Sequence, residues 1–249
     1  MAKTFEALLK AEKEGQRRQE EAAKFEPRPL VTDPKRIRFK FSSQIEEEFH
    51  RLKYNILHTI SGSKIKTLLF SSANKREGNS TVLVNFAISL ASEEERVLIV
   101  DANLRDPSFH HIFNLEREKG LTELFLAKHM LQEVIKKTQV NHLSVITSGI
   151  SYPDPFSIFE SASLSSCIEE MKAQADWVLF DSPPISSYND AVALAAKVDG
   201  VVMVIEAEKT RWETAQNAKG RVENGRNNII GVVLNKRRFY VPKWLYKTL

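Results

Sequence analysis

The sequence predicts an α/β fold: a doubly wound, mostly parallel sheet preceded by an N-terminal helical extension. Two observations carry this. Six short apolar or β-branched runs recur, at Thr67–Phe70, Val97–Val100, Leu143–Ile146, Trp177–Phe180, Val201–Ile205 and Ile229–Leu234. Runs that are apolar throughout, rather than alternating, suit strands covered on both faces. Longer helical stretches separate them, and that alternation is the pattern of parallel strands with helices on both sides. At 249 residues and 42% hydrophobic, the chain is long enough to bury one large core.

Residues 3–24 are rich in Ala, Glu, Lys, Gln and Leu, all good helix formers. Phe5, Leu8 and Leu9 give only a short apolar face, so this segment reads as an exposed or partner-seeking helix. Pro27, Pro29 and Pro34 interrupt it and mark a linker, which separates residues 1–42 from a domain over 43–249. A helix is predicted over 43–59, with Phe49, Leu52, Ile56 and Leu57 spaced for one face. The strand–helix alternation follows.

Composition excludes several function classes. A surplus of 36 basic over 32 acidic residues, net +4, is too small to imply nucleic-acid binding, which needs a concentrated field. The single cysteine, Cys167, leaves no internal disulfide; it reads as a small apolar residue on a helix, not a nucleophile. No run of about 18 apolar residues spans a bilayer, and no signal-peptide pattern opens the chain, so a cytoplasmic protein is expected.

The chemistry lies where strands end, because open α/β sheets bind ligands beyond their carboxyl edges. After the first run come Ser71, Ser72, Ala73, Asn74, Lys75, Arg76, Glu77, Gly78, Asn79, Ser80 and Thr81, then an apolar helix over 82–90. In the frame G-x-x-x-x-G-K-[ST], Ala73 takes the first position, Gly78 the second glycine, Asn79 the lysine and Ser80 the magnesium-binding hydroxyl. A loop entering a helix still offers unpaired N–H groups to phosphate. The point charge is missing: Asn79 donates a hydrogen bond but neutralises nothing. Lys75 and Arg76 are both candidates to replace that charge, and the sequence does not choose between them.

Alone, the loop is a weak motif, and a plain strand–turn–helix would explain it. The second run ends at Asp101 and the fourth at Asp181, placing two carboxylates on the ligand face where they can hold magnesium. Each aspartate alone is better explained as a cap or turn residue. Three such elements in order and spacing outweigh coincidence.

On these residues the chain resembles the bacterial tyrosine kinases (BY-kinases) of capsule and exopolysaccharide synthesis, P-loop NTPases of deviant Walker type related to the septum-site and partitioning ATPases. The resemblance covers roughly residues 43–249. Residues 101–107, DANLRDP, resemble D-x-D-x-R-x-P; Asp181, Ser182, Pro183 and Pro184 match D-x-x-P; KGLTEL at 119–124 and TSG at 147–149 followed by PDP at 153–155 are similar to further family strings. Asn235 is similar to the asparagine that reads the adenine edge, and the opening MAKTFEALLKAEKE resembles an exopolysaccharide subgroup. The resemblance implies Mg2+ with ATP or ADP held by residues 73–81 and Asn235, with Ser80, Asp101 and Asp181 at the metal. It implies Asp101 or Asp181 as the group orienting the attacking hydroxyl, and a membrane polysaccharide co-polymerase as partner. It also implies homo- or hetero-oligomers and a location at the inner face of the membrane.

The departures are as informative. Asn79 replaces the lysine, Arg76 a usual glycine, and Asn103 the second aspartate of D-x-D. The ring-closing E-x-x-R-x-x-R aligns with Glu47, His50 and Lys53, and His50 reads first as a surface residue, then as a degraded ring contact or a pH-sensitive contact. In place of a tyrosine cluster, the basic and aromatic tail holds only Tyr240 and Tyr246 as phosphorylation candidates; docking on the sheet edge is favoured for it over membrane contact. Losing one charge clamp typically costs ~10²–10³-fold in phosphoryl transfer. The favoured expectation is therefore a kinase-like assembly subunit with impaired catalysis, ahead of an active autokinase using Lys75 or Arg76. A partitioning-type ATPase comes last, because its signature lysine would fall at Asn74.

Overall fold

Every strand predicted from the apolar runs forms, and the carboxyl ends of five run on into the polar residues that follow. The computed structural model describes residues 43–59, 66–126, 129–225 and 227–237; the expected N-terminal helix and linker, and the tail with Tyr240 and Tyr246, lie outside them. The strands are β1 (Thr67–Ser72), β2 (Val97–Asp101), β3 (Lys136–Lys137), β4 (Leu143–Ile146), β5 (Trp177–Asp181), β6 (Gly200–Glu206) and β7 (Ile229–Asn235). They form one sheet in the order β3-β4-β2-β5-β1-β6-β7. All neighbours pair in parallel except β3, which runs antiparallel to β4. Two lysines carry no apolar period, which is why β3 was not predicted.

The helices are α1 (Ser43–Thr59), α2 (Asn79–Ala91), α3 (Phe109–Ile112), α4 (Leu121–Phe125), α5 (Leu131–Val134), α6 (Pro155–Glu160), α7 (Ala162–Gln174), α8 (Asp190–Ala195) and α9 (Trp212–Asn224). Because side chains alternate along a strand, consecutive residues serve opposite layers. Leu69, Val100, Phe180 and Met203 pack with Ile168 of α7, Leu194 of α8 and Ala218 of α9. On the other face Phe70 meets Phe86 of α2, ring centroids 5.6 Å apart, both fully buried. Helix α2 is therefore apolar nearly all round, and α1 packs over it. Of the predicted α1 face, Ile56 is buried and Phe49 and Leu52 are half-buried, but Leu57 is 41% exposed. Residues 49, 52 and 56 share a helical line, and position 57 turns about 100° away from it.

Strand β1 lies between β5 and β6, with the chain winding outward on both sides, so the crevice forms at its carboxyl end. Hydrogen bonding brings Asp101 of β2 and Asp181 of β5 into register as direct neighbours. Both aspartates are fully buried.

Candidate functional site

The loop from β1 to α2 is fastened at each position. Gly78 caps α2 at φ +91°, and an added Cβ would lie 2.3 Å from Asn235 Nδ2, so both backbone and space require glycine. Asn235 Nδ2 donates to the Glu77 carbonyl at 2.8 Å. The Glu77 carboxylate is 3% exposed and accepts from Asn74 N (2.9 Å), Asn74 Nδ2 (3.0 Å) and the Thr210 hydroxyl. Glu77 thus closes the loop from inside. Arg76 is exposed and adopts φ +65°, the left-handed region where glycine is cheapest. Its carbonyl accepts from Lys236 Nζ at 2.6 Å, and the same ammonium pairs with Glu206 at 3.1 Å.

Asn79 does not point into the phosphate cradle as a lysine would. It is 8% exposed, and its Nδ2 donates to Phe70 O at 2.8 Å and Asp181 Oδ1 at 2.6 Å. Ser80 Oγ donates to Asp181 Oδ2 at 2.6 Å. Both oxygens of Asp181 are therefore held by the first two residues of α2. Asp101 Oδ2 accepts the backbone N–H groups of Ser108 and Phe109, each at 2.9 Å. Asp101 Oδ1 and Asn79 Oδ1 are buried acceptors with no hydrogen-bond partner among the described residues. Asn103 turns its Oδ1 to the N–H of Asp106 at 3.2 Å.

Burial pushes both carboxyls well above the usual carboxylate range. For Asp181 the charge of Asp101 adds to burial, and the bonds from Ser80 and Asn79 oppose it; for Asp101 the Phe109 and Ser108 N–H groups oppose it. Without a lysine between them, the pair retains a proton to higher pH than an exposed aspartate does.

The turn after β5 is tied to β1 by Ser71 Oγ to Pro183 O (2.9 Å), Ser182 Oγ to Phe70 O (3.1 Å) and Ile185 N to Ser72 O (2.9 Å). Beyond it, Tyr188 presents its ring to two cations: Arg105 Cζ at 4.3 Å and Lys75 Nζ at 5.5 Å from the centroid. Arg105 is also gripped by the buried Asp190 carboxylate, at 2.6 and 3.0 Å.

The structure thus brings together residues 73–80, Asp101, Asp181 and Asn235, while Thr81 is exposed on α2. The oxygen set of Ser80, Asp101 and Asp181, with one unpartnered carboxylate oxygen, suits Mg2+. Among the described residues no group of three or more His, Cys, Asp or Glu forms a metal cage. The aligned ring residues are engaged within the chain: Glu47 pairs with Arg51 (2.9 Å), while His50 (3.1 Å) and Lys53 both bind Glu93. Tyr188, Thr210 and Lys236 were not predicted as site residues. Only Lys236 carried a sequence signal, its place beside Asn235.

An AAA domain family model matches residues 70–226. The chain is 32% identical to the putative tyrosine-protein kinase CapB of Staphylococcus aureus over 82% of this chain and 89% of that protein. It is 32% identical to the tyrosine-protein kinase YwqD of Bacillus subtilis over 84% and 85%. Among solved structures, the chimerical protein CapA2B2 superposes with TM-score 0.74 at 28% identity, covering 78% of this chain and 85% of that one. The kinase domain of the Escherichia coli tyrosine kinase ETK gives 0.75 at 24%, covering 79% and 78%, a likeness of fold. No described helix is long and apolar enough to cross a membrane. With a P-loop fold, two strand-end aspartates and these relatives, the chain belongs to the bacterial tyrosine kinase family of P-loop ATPases.

Proposed function

We propose that this chain is a kinase-like subunit of capsule or exopolysaccharide assembly with impaired phosphoryl transfer. Its role is regulatory or structural, beside a membrane co-polymerase. The observation that carries the reading is the inward turn of Asn79, whose amide is bound to Phe70 O and Asp181. Phosphoryl transfer depends on positioned charge, and a residue tied to the sheet supplies none to the phosphates.

The site keeps what nucleotide binding requires. Backbone N–H groups at the start of α2 would meet the phosphates, and Ser80, Asp101 and Asp181 would hold Mg2+. When bound, the ion would neutralise phosphate charge and offset the charge of the two buried carboxylates. Asn235 sits at the loop wall, where the family resemblance puts the adenine edge. An active autokinase is the second reading, favoured by the cation Lys75 at the site mouth.

Calorimetric titration with ATP and ADP, with and without magnesium, tests this against Asn79→Lys. The expected result is weak magnesium-dependent binding by the wild type, tightened at least about tenfold by the lysine. Tyrosine autophosphorylation by the wild type at the rate of the Asn79→Lys variant would overturn impaired catalysis.

A further inference from the structure

We propose that Lys75 is the phosphate-binding cation of this chain, held on the Tyr188 ring while the loop is empty and released to the ligand when phosphate enters. This deepens the nucleotide reading above and rests on it. Three observations converge. Asn79 is fastened inward by two bonds and cannot serve. Two other basic groups around the mouth are matched: Arg105 by Asp190, and Lys236 by Glu206 and the Arg76 carbonyl. Lys75 is exposed and, among the described residues, forms no ion pair; its ammonium lies 5.5 Å from the Tyr188 centroid instead.

The energetics favour exchange. A cation on an exposed aromatic face is held weakly, whereas an ammonium on a phosphate makes a charge-assisted hydrogen bond that is several times stronger. The ring therefore keeps Lys75 beside the mouth without competing strongly for it. Arg76 shares the loop crest and also forms no ion pair among the described residues, but only Lys75 has its charge placed against the turn that follows Asp181. Tyr188 is the link: it stands on that turn, half-buried, with Arg105 packed on its ring at 4.3 Å and anchored by Asp190.

The test is a double-mutant cycle on the full chain, read as ATP and AMP affinity by calorimetry. Lys75→Ala should weaken ATP about tenfold or more and AMP far less, since AMP lacks the outer phosphates. Tyr188→Ala should tighten ATP ~2–5-fold by removing the competing contact, and Tyr188→Phe should leave it unchanged. The gain from Tyr188→Ala should vanish in the Lys75→Ala background, which a merely structural role for the ring would not produce. Arg76→Ala should weaken ATP less than Lys75→Ala does. ATP binding untouched by Lys75→Ala, lost instead in Arg76→Ala, or raised equally by Tyr188→Ala in both backgrounds overturns the assignment and leaves the nucleotide reading intact. No ATP binding by the wild type or Asn79→Lys overturns both.

Discussion

Replacing a P-loop lysine by Asn79 leaves two buried carboxylates side by side without their usual counter-charge. Asp101 and Asp181 are register neighbours, both with no exposure, and burial holds each above the ordinary carboxylate range. In the unfolded chain both ionise near pH 4, while in the folded chain they keep protons toward neutrality. The folded state therefore binds more protons across that interval, and the pair's contribution to stability falls as pH rises through it. Asp181→Asn keeps partners for Asn79 and Ser80 but removes the titration. Thermal melts should show the variant a few degrees more stable than wild type at about pH 8, with the gap closing by about pH 4. An equal gap at both pH values would mean that the carboxyls are not protonated in the folded chain. At this scale the sequence located both aspartates, because each directly follows an apolar run. It did not reveal that Asp181 is saturated by Asn79 and Ser80, since those partners lie 102 and 101 positions away.

Among the elements, α1 packs on α2 and is also clasped by the turn that follows α2. Ile56 is its one fully buried apolar side chain among the described residues, and the Glu93 carboxylate receives both His50 and Lys53. The Lys53 hydrogen bond, aided by His50, draws the Glu93 carboxyl below its ordinary range, so the bridge persists above that range and is lost in acid. Glu93→Ala should raise hydrogen exchange in α1 while the global melting temperature shifts by only a few degrees, as expected for a partly exposed pair. Unchanged exchange in α1 would assign its docking to Ile56 alone. Five strands were legible because a doubly covered strand must be apolar throughout; β7 is as apolar although Val232 and Leu234 are exposed, and β3 was missed, since two exposed or half-buried lysines follow no period. Leu57 was placed on the wrong side of α1 because spacing alone does not set how wide the buried stripe is.

For the molecule as a whole, the site depends on how β1 is clamped between its layers. Phe70 packs on Phe86 through its ring and, through its carbonyl, accepts Asn79 and Ser182. Phe86→Ala should cost ~3–5 kcal/mol in denaturant unfolding, because the cavity beneath β1 cannot be refilled by α2 without moving the loop. A cost below ~1 kcal/mol would show that this layer repacks freely.

The sequence by itself determined the parallel α/β architecture, the loop entering α2, the missing lysine and the two strand-end aspartates. Each is written in local patterns of apolar period and strand-end polarity, which need no knowledge of distant neighbours. Only the tertiary structure decided where the loop's side chains go. Asn235 holds Glu77 across 158 positions, Lys236 holds Arg76 across 160, and Tyr188 gathers Lys75 and Arg105 from two other loops. Those contacts arise because the sheet order brings the carboxyl ends of β1, β2, β5, β6 and β7 to one edge, a juxtaposition that no single stretch of chain encodes.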